Sequence, residues 1–212
     1  MKRFLLLSTA SCAFAVDFVA IQDLKNWTTA DGKPAPAGWV AQVDGSLHRA
    51  QRGGDIFSVK EYGNFELTFE WKIAEAGNSG VKYLVTSYEN KGYLGPEYQL
   101  LDDAKHPDGK VGPHRQSGAL YDLVGPDAAA KKLNPPGEWN ASKIIMRGKK
   151  LEHWLNGAKL VDIEVGSDAW KAGHAKSKFK NTPGFAGNAK GRIMLQDHGD
   201  EVWFRNLSIR EL

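Results

Sequence analysis

Between positions 66 and 73 the chain alternates strictly: Leu67, Phe69, Trp71 and Ile73 fall on one side, Glu66, Thr68, Glu70 and Lys72 on the other. A period of two marks a strand with one face on a core and the other in water. Gly77-Asn78-Ser79-Gly80 reads as a turn and 81–85 as the next strand, so the two runs predict a hairpin. Glu97–Leu101, entered through Gly95-Pro96, predicts a further strand. Downstream, 143–146, 151–155 and Ala158–Glu164 are separated by Gly148-Lys149-Lys150 and by Asn156-Gly157. Asn-Gly between alternating runs is a strong hairpin signal, because both turn residues need positive φ. Residues 192–196 and 202–209 close the series, after an entry segment over 16–36. Positions 128–132 and 168–172 read as single helical turns, and no long 3.6-residue period exists. Many short strands with almost no helix predict an all-β fold, two antiparallel sheets packed as a sandwich. The stretches 102–116 and 171–190 are long loops for a compact domain, and such loops generally carry function.

Residues 1–15 stand outside this pattern. Lys2 and Arg3 precede an apolar run over 4–14, and Ala13-Phe14-Ala15 supplies an A-x-A cleavage site. This predicts a signal peptide over 1–15, a single domain over 16–212, and export to the periplasm or the exterior. The run is too short for a transmembrane helix, which needs about 20 residues, and no later segment is long enough. Cys12, the only cysteine, lies in the leader. Lipidation at Cys12 is the lesser alternative, since Thr9 stands where a bulky aliphatic residue belongs. The mature chain then has no thiol, which excludes disulfides, zinc–thiolate sites and cysteine nucleophiles. Loss of Lys2 and Arg3 takes the basic residues from 28 to 26 against 25 acids. That near-neutral balance gives no footprint for nucleic acid.

Three segments hold candidate chemistry. In Glu97-Tyr98-Gln99-Leu100-Leu101-Asp102, alternation sets Glu97 and Gln99 on one face, as expected of a strand lining a groove. The spacing is similar to the Glu-x-Asp-x-x-Glu strand of laminarinase-type glucanases, with Gln99 in the middle place and Asp102 in the last. Retaining glycosidases need two carboxyls about 5–5.5 Å apart. Gln99 cannot serve as one, and parity turns Asp102 away from Glu97. His153 shares a strand face with Leu151 and Leu155, which leaves open both a buried imidazole and a catalytic one. Gln196, Asp197 and His198 form the third segment, able to hold a sugar hydroxyl, orient a base, ligate a metal, or simply make a turn. Arg205 is a partner for Glu97 or Asp197, or else a surface residue. Seven tryptophans suit sugar stacking as well as core filling. No Gly-x-Ser-x-Gly elbow, His-Glu-x-x-His helix or phosphate loop is present.

Taken in order, Gly77-Asn78-Ser79-Gly80-Val81-Lys82-Tyr83, Gly95-Pro96-Glu97-Tyr98-Gln99-Leu100-Leu101-Asp102, Gly118-Ala119-Leu120-Tyr121-Asp122-Leu123, Pro136-Gly137-Glu138-Trp139-Asn140, His153-Trp154-Leu155-Asn156-Gly157, Leu195-Gln196-Asp197-His198-Gly199 and Phe204-Arg205-Asn206 resemble the 3-keto-disaccharide hydrolase domain family, from about Asp23 to Leu212. Lys82 and Leu84 depart from its more frequent aromatic-then-arginine version of the Tyr83 strand. The resemblance implies a concanavalin A-like jelly roll with a concave sugar face. It also implies cleavage of glucosides bearing a ketone at C3: a base removes the acidified C2 proton, the C1 substituent is eliminated, and water can add back. On this reading His153 or His198 is the base and Glu97 orients it or acts as acid. Gln99, Asp102, Asn156, Gln196, Asp197, Arg205, Tyr83 and Lys82 are the substrate-binding candidates. A divalent metal held by His and Glu or Asp is neither required nor forbidden, and the partner is a carbohydrate. Two other functions stay open: a non-catalytic glycan-binding module, and a conventional glucanase-type hydrolase.

Overall fold

The computed structural model describes residues 17–212; the expected leader and Cys12 lie outside them. Fourteen strands are present among the described residues. They are β1 (Val19–Ala20), β2 (Trp27–Thr28), β3 (Trp39–Ala41), β4 (Leu47–Arg49), β5 (Ile56–Tyr62), β6 (Phe65–Ile73) and β7 (Asn78–Tyr88). After these come β8 (Gly92–Leu94), β9 (Glu97–Leu101), β10 (Asn140–Arg147), β11 (Lys150–Leu155), β12 (Ala158–Glu164), β13 (Gly191–Leu195) and β14 (Val202–Glu211). One sheet runs β12-β11-β10-β6-β14-β4-β3, with β1 also on β14. The other runs β2-β5-β13-β7, and the far edge of β7 carries β9 along its first half and β8 along its second. All pairings are antiparallel. The expected all-β, two-sheet jelly-roll sandwich is the architecture found.

The alternating residues of β6 do what their pattern requires. Leu67, Phe69, Trp71 and Ile73 are buried against Tyr83, Tyr98, Leu100, Ile193 and Leu195 of the smaller sheet. Burial of such large side chains stabilises by about 25 cal/mol per Å² of apolar surface removed from water. The β10-β11-β12 meander also forms as its turn residues predict, with Asn156 at φ 46° and Gly157 at φ 84°.

Two expectations are corrected. Strand β6 and the segment after it do not form a hairpin: β6 lies in the larger sheet and β7 in the smaller one. Residues 74–77 are a corner that carries the chain between sheets, and Asn78-Ser79-Gly80 are already paired with Leu101, Leu100 and Gln99. An alternation pattern reports which face is buried, but it cannot say which sheet supplies the burial. The turn at 168–172 extends to a helix, α1 (Asp168–Lys176), capped by Ser167 and anchored by Trp170; at 128–132 the chain makes the single turn expected, closed by the Lys131 N–H on the Asp127 carbonyl at 3.0 Å.

Strand β7 holds an irregularity that shapes its outer face. Arg192 opposes Val85 and Met194 opposes Lys82, so β7 spends one residue more than β13 across the same interval. Leu84, at φ 50°, takes up the excess, as the extra residue of a bulge does. A side chain on Gly191 would strike the Leu84 backbone, so the bulge needs a glycine opposite it. Past the bulge the parity of β7 reverses: Lys82 and Val85 share the outer face, while Tyr83 and Leu84 point into the core. Among the described residues no helix is long and apolar enough to cross a membrane.

Candidate active site

Sheet register assembles the site on the outer face of the smaller sheet. Glu97 lies opposite Lys82, which lies opposite Met194, which lies opposite Phe57. One step along, Gln99 lies opposite Gly80, and Gln196 donates its backbone N–H to the Gly80 carbonyl at 3.0 Å. One step further stand Asn78 and, at the strand ends, His106, His198 and Asp200. The face thus grades from apolar at Phe57 and Met194, through a carboxylate–ammonium pair, to amides and imidazoles. Although it is an outer face, Glu97 is only 3% exposed and Gln99 only 1%, so the neighbouring loops wall it in.

Glu97 is held by geometry more than by hydrogen bonds. Its side chain lies flat across β7, and a methyl on Gly80 would land on the carboxylate. Lys82 Nζ stands 3.8 Å from Glu97 Oε2, close enough for charge attraction and too far for a direct hydrogen bond. Gln196 Oε1 is buried without a partner, which leaves an acceptor for a ligand hydroxyl. Asp55, just before β5, accepts the Asp197 N–H at 2.9 Å, and burial raises its carboxyl pKa.

The two long loops supply the wall. Tyr121 donates its backbone N–H to the Glu97 carbonyl at 2.9 Å and its phenol to Asp108 at 2.7 Å. Arg115 bridges Asp108 and Asp122, and Asp122 accepts the Lys178 N–H at 2.6 Å, tying the two loops together. Lys178 Nζ lies 4.4 Å from the centre of the Tyr121 ring. Lys178 is exposed at the mouth, and partial desolvation against this wall moves its pKa below the ordinary lysine value, with Glu97 and Lys82 among the charges that act on it. Asp55, Lys178, Tyr121, His106 and Asn78 were not singled out from sequence. The length of the 102–116 and 171–190 loops was the signal available for His106 and Lys178; Asp55 gave none.

Of the expected site residues, Glu97, Gln99, Lys82 and Gln196 share this face, with His198 at its exposed rim. Six others are elsewhere. His153 is fully buried between the sheets, its Nε2 2.9 Å from the Tyr83 hydroxyl and its Nδ1 3.1 Å from the Gly118 carbonyl. Burial pushes its pKa down to about 4, so it is a neutral core imidazole and not a base within reach of substrate. Tyr83 is buried with it. Asp102 accepts the N–H groups of Ala76, Ala104 and Lys105, which shapes a loop. Asn156 holds the Ala141 N–H and the Lys132 carbonyl in the β11–β12 turn of the other sheet. Asp197 pairs with Arg49 at 2.7 Å and accepts the N–H groups of Gly53 and Gly54. Burial opposes its charge, yet those donors and Arg49 hold its carboxyl below the usual range. Arg205 pairs with Glu70, not with Glu97 or Asp197, and stacks on Trp139. Both lie on the solvent face of the larger sheet. A hollow of about 390 Å³ there, lined by Thr68, Glu70, Lys143, Trp154 and Asn206, has its carboxylate already satisfied by Arg205 and Asn206.

His106, His198 and Asp200 bring one ligand atom each within 4.8 Å of one another, the spacing of a metal site. The donor chemistry does not fit. His106 Nδ1 accepts the Asp108 N–H at 3.1 Å, so the neutral ring carries its proton on Nε2, and a metal at Nε2 needs that proton on Nδ1. As folded, His106 is a hydrogen-bond donor.

Comparison with known proteins places the chain. A 3-keto-disaccharide hydrolase from Bacteroides thetaiotaomicron is 36% identical over 88% of this chain and 70% of its own length. Two solved structures from Parabacteroides distasonis, described as candidate glycosyl hydrolases, superpose with TM-scores of 0.80 and 0.72. The first is 33% identical, covering 91% of each chain; the second is 28% identical, covering 92% of this chain and 100% of its own. A Bacillus subtilis protein with a galectin-like fold shares the fold alone, at 10% identity and TM-score 0.51 over 90% of this chain and 93% of its own. With its sandwich fold and a walled face of carboxylate, lysine and amides, and with residues 21–210 matching the family model, the chain is a carbohydrate-active enzyme of the 3-keto-alpha-glucoside-1,2-lyase-like domain family.

Proposed function

We propose that this enzyme is exported and cleaves the glycosidic bond of 3-keto-glucosides by enolisation and elimination. The observation that carries the reading is the Glu97–Lys82 pair, a carboxylate and an ammonium 3.8 Å apart on one walled sheet face. Enolisation needs a base at the C2–H and a positive charge beside the adjacent C3 oxygen. Glu97 takes the C2 proton, and the electron pair of that C–H bond becomes the enolate. Lys82, with Lys178 nearby at the mouth, stabilises the charge on the C3 oxygen. The enolate re-forms the ketone as the C1–O bond breaks, leaving a C1–C2 double bond. The departing oxygen takes a proton from Asp55, whose raised pKa keeps it protonated to higher pH. Water adding across the double bond completes hydrolysis; without it the enzyme is a lyase. Gln196 Oε1 accepts a sugar hydroxyl. The Glu97–Asp102 pair that a glucanase-type strand would use is not in place, because Asp102 is committed to its loop.

The test compares 3-keto and unmodified forms of one chromogenic glucoside, with and without chelator. Cleavage of the keto form alone, unchanged within twofold by chelator, is the expected result. Release from the unmodified glucoside, or binding of both without turnover, would overturn the reading. Export is checked by fractionating the producing cells and sequencing the mature N-terminus, expected to begin at Val16.

A further inference from the structure

We propose that His106 is a positioning residue for Glu97, acting through a hydrogen-bond chain of fixed direction that runs from His106 through Asn78 and Gln99. The inference deepens the reading above, since it takes Glu97 as the base. The chain starts at the short 3-10 turn Pro107–Lys110, which His106 caps by accepting the Asp108 N–H on Nδ1. The occupied Nδ1 leaves the proton on Nε2, which lies 3.5 Å from the Asn78 side-chain amide. That amide lies 3.1 Å from the Gln99 amide.

Two arrangements of the amides fill the same space. In one, Gln99 Nε2 donates to Asn78 Oδ1. Asn78 Nδ2 then faces the Nε2–H of His106, donor against donor, and Gln99 Oε1 is left buried with no partner. A buried oxygen without a partner is left with its desolvation uncompensated. A half-turn of both amide groups exchanges nitrogen and oxygen without changing the volume either occupies. His106 Nε2–H then donates to Asn78 Oδ1, Asn78 Nδ2 donates to Gln99 Oε1, and both faults disappear. Gln99 Nε2 is freed on the face it shares with Glu97, whose carboxylate rests on Gly80, directly opposite Gln99 in register. The freed N–H holds that carboxylate in place over Gly80. A backbone cap in a loop thereby sets which way three side chains point, and ends at the base.

Two measurements test this. Nitrogen-15 shifts of the histidine side chains in the wild-type protein report each tautomer directly, and His106 is expected as Nε2–H. Finding Nδ1–H overturns the proposal, whatever the substrate proves to be. The second is Asn78→Asp, which keeps the size and the acceptor but removes the donor to Gln99. It is expected to lower kcat at least tenfold, to leave KM within twofold, and to move the limb of the pH–rate profile that Glu97 governs. A variant with kcat within twofold and an unmoved limb overturns the chain. The tautomer measurement needs no turnover, so an inactive wild type would sink the functional reading while the shifts still decide the chain.

Discussion

Glu97 and Lys82 divide the work between proton and charge, and substitution separates the two. Glu97→Gln keeps the volume over Gly80 and removes the base; kcat is expected to fall roughly 10³-fold, within the range typical of a general base, with little change in thermal midpoint. Lys82→Met removes a charge from beside the developing oxyanion, and about 10²–10³ in kcat is expected to be lost. Steady-state kinetics on a 3-keto-glucoside check both, and a Glu97→Gln enzyme within tenfold of wild type would remove the carboxylate from the mechanism. At this scale the sequence was partly legible. Alternation put Glu97 and Gln99 on one face correctly. The same alternation put His153 with Leu151 and Leu155, which is the signature of the core histidine it proves to be. A functional role for it could only come from motif resemblance, which records the presence of a residue and not its surroundings.

At the scale of the element, β7 decides the shape of the site. Its missing side chain at Gly80 is the bed for the Glu97 carboxylate, and its bulge at Leu84 lets Lys82 and Val85 share the outer face. Gly80→Ala drives a methyl into that bed. The expected outcome is a loss of at least tenfold in kcat with the β-sheet circular dichroism unchanged, because the displaced group is a side chain and not the strand. Unaltered kcat in this variant would mean that the carboxylate does not need its bed. The glycine was visible in the sequence, but it read as part of a turn. A residue that packs nothing looks the same in a turn and in a strand crossed by a neighbour's side chain.

For the whole molecule, the sealed His153 couples stability to pH. Its pKa is about 4 in the folded protein and about 6.5 in an unfolded chain. Between these values the unfolded chain binds the extra proton, so stability is full above pH 6.5 and declines as pH falls toward 4. A shift of this size is worth on the order of 3 kcal/mol. Thermal midpoints measured from pH 7 to pH 4 are expected to drop, and the drop attributable to this site should vanish in His153→Gln. An identical pH slope in the variant would assign the acid sensitivity to other groups. The residue is best seen as a specifier of the core: Nδ1 donates to the Gly118 carbonyl and Nε2 accepts from Tyr83, linking the two sheets.

Local chemistry along the chain was enough to determine the all-β class, the β10-β11-β12 meander and the polar face of β9, because alternation and Asn-Gly geometry act over a few residues. Family resemblance added the sugar-directed function. Tertiary structure alone decided that β6 and β7 belong to different sheets, that Asp55 stands near Lys82 and Lys178 near Glu97, and that Arg205 pairs with Glu70 instead. Those outcomes depend on contacts between distant parts of the chain, 135 positions for Arg205 with Glu70 and 142 for Asp197 with Asp55, where no local pattern records which partner a side chain will meet.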